Sequence, residues 1–388
     1  MGCPMKFTMK PGETLMADEK ELYDVIQSGD TARALDIIKN GCIRVDCLDE
    51  NGATPLQQAA FKGNVELCRV LLDRGADVNS NEHEHAYTAL MFGALSGQHH
   101  CVSVINNYLS IEDVERIIHP KGIDTKERIP MKFAKEIHQL VRSYNIHPVK
   151  IIKFLQANIE LVEHRKPFVI VLEELFDLQM KQKETNEVMA LKLWIIVFTI
   201  KEAFKFIDLK KSEGTKTPDD LLVLFAKQLL ATDAEANFPK NLELLARQGI
   251  KAFPYHQSVL FQTLVKSVGQ TEFGNEPSAL SYLHQALLGQ RMMMDETFCA
   301  ACGEPAKKKR CAGCKAVNYC SAECQKLHWF SHKRWCATLA MKQDMMNEQW
   351  DVDESAKTEG ADGSDAAETT QGPSVSSPAT PVAAENEA

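Results

Sequence analysis

"NGATPLQQAAFKGNVELCRVLLDRGADVN", residues 51–79, reads as two short helices joined by a tight turn. Thr54-Pro55-Leu56 opens the first helix, since a hydroxyl residue before a first-turn proline suits a helix start. Ala59 and Ala60 let the two helices pack closely, Gly63-Asn64 turns the chain, and Leu71-Leu72 ends the second helix before Gly75. A shift of 34 residues in either direction meets the same skeleton: Gly29, Gly63 and Gly97 are in register, as are Leu22, Leu56 and Leu90, and Thr54 pairs with Thr88. Upstream, "ELYDVIQSGDTARALDIIKNG" (21–41) is a first unit, and downstream "YTALMFGALSGQHHCVSVINNYL" (87–109) is a third. One helix pair cannot bury its own apolar face, so about three units are needed for a stable stack.

The three units resemble ankyrin repeats. Those units usually recur about every 33 residues, so the longer step predicts one extra residue in each connecting turn. It lengthens the finger-like loops around 42–53 and 76–87, where the resemblance implies partner contacts. The stack is expected over 19–110, after an N-terminal segment, 1–18.

The chain of 388 residues has room for two or three domains, and its 44% hydrophobic and 25% charged residues are an ordinary soluble composition. The net charge of −9 is concentrated at one end: residues 351–388 carry −8, leaving −1 for the rest. That acidic tail has almost no large apolar residue and is expected to be disordered. Ser377-Pro378 and Thr380-Pro381 within it are phosphoacceptor-like dipeptides. No apolar stretch reaches membrane-spanning length; "LWIIVFTI" (193–200) is closed off by Lys192 and Lys201 and reads as a buried helix. "MGCPMKF" lacks the apolar run of a signal peptide, which points to a reducing, cytoplasmic setting. Gly2-Cys3 hints at lipidation, but Lys6 replaces the Ser or Thr that myristoylation favours.

From 111 to 290 the repeat signature gives way to apolar residues at three- and four-residue spacing or in denser runs. Helices are predicted over 132–143, 148–163, 168–182, 187–209, 217–231, 240–252, 255–268 and 277–290. Thr217-Pro218 and Glu276-Pro277 suit helix starts; Gly214, Gly249 and Gly269 suit stops. The fold class is mostly α: an N-terminal solenoid, an all-helical middle domain (111–290), a small cysteine-rich module (297–338) and the tail.

Twelve cysteines in a reducing compartment are not a disulfide framework. Five are scattered, with Cys68 and Cys101 on repeat helices as packing residues; seven crowd into 299–336 as Cys299-x2-Cys302, Cys311-x2-Cys314, Cys320-x3-Cys324 and His332-x3-Cys336. Seven thiolates and one imidazole fill two tetrahedral zinc sites with no vacant position, which means structure rather than catalysis. Each ion would supply folding free energy, about 10–16 kcal/mol by analogy with zinc-finger peptides. Redox disulfides are the competing reading, and they leave both histidines and the paired spacing unexplained. If 322–336 is helical, Cys324, His328, His332 and Cys336 follow at four-residue steps near one face. Either histidine could then reach a metal, and counting alone does not choose between them.

The whole pattern, with "YC" before the fifth ligand, "CQ" at the sixth and "HW" ahead of the last pair, resembles the MYND zinc finger. That family interleaves its sites. The resemblance implies that Cys299, Cys302, Cys320 and Cys324 hold one zinc and Cys311, Cys314, His332 and Cys336 the other, with His328 outside the ligand set. MYND fingers bind proteins, several by docking short proline-containing peptides. The motif match places Gln325 and Trp329 in that groove, the amide for peptide backbone and the indole for proline; the plainer role for Trp329, as for Trp335, is core packing.

Lys307, Lys308, Lys309 and Arg310 form a basic run, and 304–342 carries nine basic against two acidic residues. Nuclear import or nucleic-acid binding is one reading, and a solvated loop complementing acidic partners, or the acidic tail, is the favoured one. His83, His85, His99 and His100 lack cysteine neighbours and read as ordinary histidines. No GxxxxGK phosphate loop, GxSxG elbow or HExxH motif occurs.

Repeats, helical middle and finger in this order resemble the ankyrin repeat and MYND domain-containing proteins. The resemblance implies a non-enzymatic adaptor in the cytoplasm and cilium, associated with delivery of membrane signalling proteins such as nucleotide cyclases. In this reading a folded client sits on the stack and a second protein or peptide on the finger, with no nucleic acid as partner. The alternative is a nuclear co-regulator whose finger takes proline-containing corepressor peptides. A SET-type methyltransferase would bring strands and a cofactor loop absent from this text, and a RING-type ligase places its histidine earlier among the ligands.

Overall fold

The computed structural model describes residues 13–121, 126–182, 185–211, 214, 216–233, 237–288, 297–306 and 309–345. Gly2-Cys3, Lys307, Lys308 and the tail with Ser377 and Thr380 lie outside the described residues. Among the described residues, those through Ala340 belong to one compact unit and 341–345 fall outside it.

The N-terminal part is three stacked helix pairs: α1 (Ala17–Ser28) with α2 (Thr31–Asn40), α3 (Pro55–Lys62) with α4 (Val65–Asp73), and α5 (Ala89–Leu95) with α6 (His99–Asn106). The sequence skeleton sits where its chemistry requires. Thr54 caps α3, accepting from the Gln57 N–H, and Gly29, Gly63 and Gly97 take φ of +82°, +76° and +72° at the turns within each pair. Leu22, Leu56, Ala59, Ala60, Leu71, Leu72, Cys68 and Cys101 are buried in a core of their own. The long loops run between α2 and α3 and between α4 and α5, and buried side chains hold them. The Tyr23 hydroxyl lies 2.8 Å from both the Cys47 and Ala53 carbonyls. The Gln57 amide donates to the Ser80 and Tyr87 carbonyls at 2.7 and 2.8 Å. Ten described cysteines are free thiols, and Cys42 is disulfide-bonded.

The middle comprises α7 (Ile111–Ile118), α8 (Ala134–Arg142), α9 (Pro148–Ala157), α10 (Arg165–Lys181), α11 (Glu187–Lys211), α12 (Pro218–Leu230), α13 (Lys240–Lys251), α14 (Val259–Gln270) and α15 (Ala279–Leu288). α11 is the axis, in contact with α9, α10, α12, α13, α14 and α15, which is why its sequence is apolar on every side. No helix among the described residues is long and apolar enough to cross a membrane.

Three expectations are corrected. Gly249 and Gly269 lie inside α13 and α14 instead of ending them. At Gly249 a Cβ would stand 3.2 Å from both Ile195 and Phe198, so this glycine serves close packing on α11. Pro277 does not open α15; Ser278 does, its hydroxyl accepting from the Ser281 N–H at 3.1 Å. The third is α7, which no predicted segment covers.

Candidate metal centres

The cysteine-rich module builds its first two ligand pairs from the same turn made twice. In the first, the Gly303 N–H returns to the Cys299 carbonyl at 2.9 Å; in the second, the Lys315 N–H returns to the Cys311 carbonyl at 2.9 Å. Both closing residues are left-handed, with φ of +70° and +55°. Lys315 is exposed and bears the strain of a side chain there. Gly303 has no such freedom, because a Cβ would meet that of His147 at 2.9 Å. The strands β1 (Lys309–Arg310) and β2 (Asn318–Tyr319) pair antiparallel and carry the chain from the second turn toward Cys320.

Helix α16 (Ala322–His332) follows, capped by the Ser321 hydroxyl, which accepts from the Cys324 N–H. The expected helix over 322–336 is interrupted: α16 ends at His332, residues 333–335 turn, and a new helix begins at Cys336. An unbroken helix would keep every fourth residue drifting around one axis; the turn instead returns Cys336 to the thiolates that His332 reaches.

The donor atoms gather into two groups: Cys299, Cys302, Cys320 and Cys324, and Cys311, Cys314, His332 and Cys336, each within 4.8 Å of one another. In the first, Cys302, Cys320 and Cys324 Sγ atoms are 3.5–3.6 Å apart. In the second, His332 Nε2 lies 3.4 Å from Cys311 Sγ and 3.6 Å from Cys314 Sγ, and Cys311 lies 3.8 Å from Cys336. A disulfide needs about 2.05 Å between sulfurs, whereas the edge of a tetrahedron with zinc–sulfur bonds of 2.3 Å is about 3.8 Å. The donors therefore fit two zinc ions and not disulfides.

α16 links the two groups, with Cys324 in one and His332 in the other, eight residues or about 12 Å along the axis. His328 falls midway and belongs to neither; its Nδ1 is 3.0 Å from the Tyr319 hydroxyl. On the outward side of the same helix Trp329 is 46% exposed, and Gln325, one turn earlier, is half-buried. Trp335 is half-buried, with its Nε1 buried and lacking a hydrogen-bond partner. His83 and His85 join neither metal group and pack with Tyr87, and His83 also packs against Phe92.

The first group is also tied to the helical middle by residues that no motif marks. Lys153 of α9 donates to Cys324 Sγ at 3.4 Å. Burial pulls the Lys153 ammonium down, but the Cys324 sulfur and its neighbours Cys302 and Cys320 outweigh this and raise it. Its sulfur contacts with Cys299 and Cys302 hold the Cys324 thiol below its ordinary range. Four thiolates around one divalent ion leave excess negative charge, which a single ammonium partly offsets. Asn145 donates to the Cys302 carbonyl at 2.9 Å and to Glu304 at 2.8 Å, and Lys150 pairs with Glu304 at 3.0 Å. On the other side α12 lies against α16, and Thr232 bonds to Ser331 through its N–H and hydroxyl. Ala301, Cys302, Tyr319 and Cys324 belong to the same continuous apolar core as α7 through α15. The sequence separations here, 157 residues for Asn145 to Cys302, explain why local pattern could not reveal them.

The MYND finger family model matches residues 299–336, and the model for ankyrin repeats, in three copies, matches 22–115. The finger binds zinc, and the two clusters are suited to two structural ions. No solved structure matches the chain. Among curated proteins, "Ankyrin repeat, SAM and basic leucine zipper domain-containing protein 1" of Callithrix jacchus is 40% identical over 70 residues, 18% of this chain and 15% of that protein. "26S proteasome non-ATPase regulatory subunit 10" of Dictyostelium discoideum is 28% identical over 87 residues, 22% of this chain and 38% of that protein. "Dauer abnormal formation protein 25" of Caenorhabditis elegans is 34% identical over 366 residues, covering 85% of this chain and 93% of that protein. That match runs through stack, helical middle and finger alike, and the chain belongs to the family of ankyrin-repeat proteins with a MYND finger that includes Dauer abnormal formation protein 25.

Proposed function

We propose that this protein is a non-enzymatic adaptor that carries membrane signalling proteins, nucleotide cyclases among them, toward the cilium. Ankyrin repeats and a MYND finger are both protein-interaction modules, so the adaptor role itself rests on the two family matches. The ciliary destination and the cyclase clients rest on the family resemblance alone. The functional divisions are the stack at 19–110, the helical middle at 111–290 and the finger at 297–338.

The observation that carries the reading is the contrast between metal and surface. The eight donors complete two four-coordinate sets, with no position in either for a substrate or water. Meanwhile Phe61 on α3 and Met91 and Leu95 on α5 are 46%, 48% and 68% exposed. Phe92, beside them, gathers Phe61, His83 and Tyr87 at ring-centroid distances of 5.1–6.3 Å. This apolar face takes a folded client. Gln325 and Trp329 take a proline-containing peptide, the amide bonding its backbone and the indole covering the ring. All seven named cysteines and His332 then act as zinc ligands and in no other capacity.

The test is co-capture of a nucleotide cyclase with purified intact protein and with two double variants, Phe61→Glu/Met91→Glu and Gln325→Ala/Trp329→Ala. The first variant should lose the cyclase and keep proline-peptide binding, and the second should do the reverse. Loss of both partners in either variant would argue against separate surfaces. Unchanged cyclase signal in the cilia of cells lacking the protein would remove the trafficking role.

A further inference from the structure

The finger's outward face is strongly basic, and its cations among the described residues are unengaged. Lys309, Arg310, Lys315, Lys326, Lys333 and Arg334 are all exposed, and none makes an ion pair among the described residues. Exposed cations elsewhere commonly find carboxylates, as Arg33 does with Glu21 and Asp36, Lys181 with Asp177 and Lys205 with Glu202. Of the finger's two carboxylates, Glu304 is turned to the helical middle and taken by Lys150 and Asn145. Glu323, in the first turn of α16, is the other.

Two of the free cations bracket the indole. Lys326 lies three residues before Trp329 and Lys333 four after it, and the Lys333 N–H closes the helix on the Trp329 carbonyl at 2.9 Å. Residues at those separations are neighbours on a helix surface. An apolar platform between two unpaired ammonium groups repels a basic ligand and attracts an acidic one.

We propose that the segment docked on α16 is a proline-containing peptide flanked by Asp or Glu side chains, with Trp329 under the proline and Lys326 and Lys333 facing the carboxylates. This rests on the peptide-docking role given to Gln325 and Trp329 above and adds the charge of the partner. Exposed ion pairs are individually weak, so the preference is a modest multiple and not a switch, about three- to tenfold between acidic and neutral flanks. It falls as salt rises.

The test uses zinc-loaded full-length protein and fluorescence anisotropy with three labelled peptides sharing one proline core, flanked by Asp, Ser or Lys. Affinity should fall in that order, and Lys326→Glu/Lys333→Glu should reverse it while keeping the zinc content and circular dichroism of the parent. Trp329→Ala should weaken all three. Equal affinities that still depend on Trp329 would overturn the charge assignment and leave the docking site standing. Failure of every peptide to bind would overturn both. A duplex oligonucleotide that binds more tightly than the Asp peptide, and is lost in the charge-reversal variant, would assign the cations to nucleic acid and overturn the proposal.

Discussion

Two histidines four residues apart on α16 have opposite fates. His332 faces Cys311 and Cys314, whereas His328 bonds to the Tyr319 hydroxyl. His328→Ala should therefore keep two zinc ions per chain by elemental analysis, and His332→Ala should lose or weaken one. Helical spacing alone allowed both residues; the choice came from the family pattern, and the physical reason is that α16 bridges two clusters with His328 stranded between them. Lys192 is a residue the sequence misplaced. It reads as the polar edge of an apolar run, yet it is fully buried and donates to the Val141 carbonyl. Burial first, and the Arg142 charge second, push its ammonium well below the ordinary value. Between that lowered value and the ordinary 10.5 the unfolded chain holds a proton that the folded chain does not, so stability rises with pH across that window. Lys192→Met should raise unfolding stability at pH 7 by about 1 kcal/mol or more, with the gain shrinking toward pH 10.5, as urea titrations at several pH values would show.

Among the elements, the repeat helices were the most legible because each is a local object: a cap, two small residues, a left-handed turn. Helices of the middle were legible from periodicity, and α11 from density of apolar residues. α7 escaped notice because it is barely two turns long, and Gly249 misled because a glycine chosen for helix contact looks like a glycine chosen for helix ending. The loops are a different case. Their length follows from the 34-residue step, but what fastens them does not. Gln57, wholly buried, both completes the cap of α3 at the Thr54 N–H and holds two carbonyls of the 74–88 loop. Gln57→Ala leaves those carbonyls unpaired and should cost about 1–3 kcal/mol, read by chemical denaturation, with faster amide exchange across 76–87.

For the whole molecule, the important relation is that finger and helical middle share a core while the repeats keep their own. Removing zinc with a strong chelator should therefore loosen more than the finger. Hydrogen exchange should accelerate at 145–155 of α9 and 221–230 of α12, and stay unchanged at 56–72 in the stack. Protection retained in α9 and α12 after full zinc loss would show the finger to be a mere appendage. The finger's ligands were readable because metal chemistry imposes spacing on sequence; the seam was not, since Asn145, Lys153 and Thr232 carry no spacing rule. That seam bears on how the protein is made. During synthesis the helices of the middle leave the ribosome well before Cys299, and one wall of their core is still missing. Maturation must wait for the last of the eight ligands and for a supply of metal, so nascent chains ending near 290 should remain protease-sensitive and dependent on chaperones, and cellular zinc scarcity should limit how much protein is finished as well as what it binds.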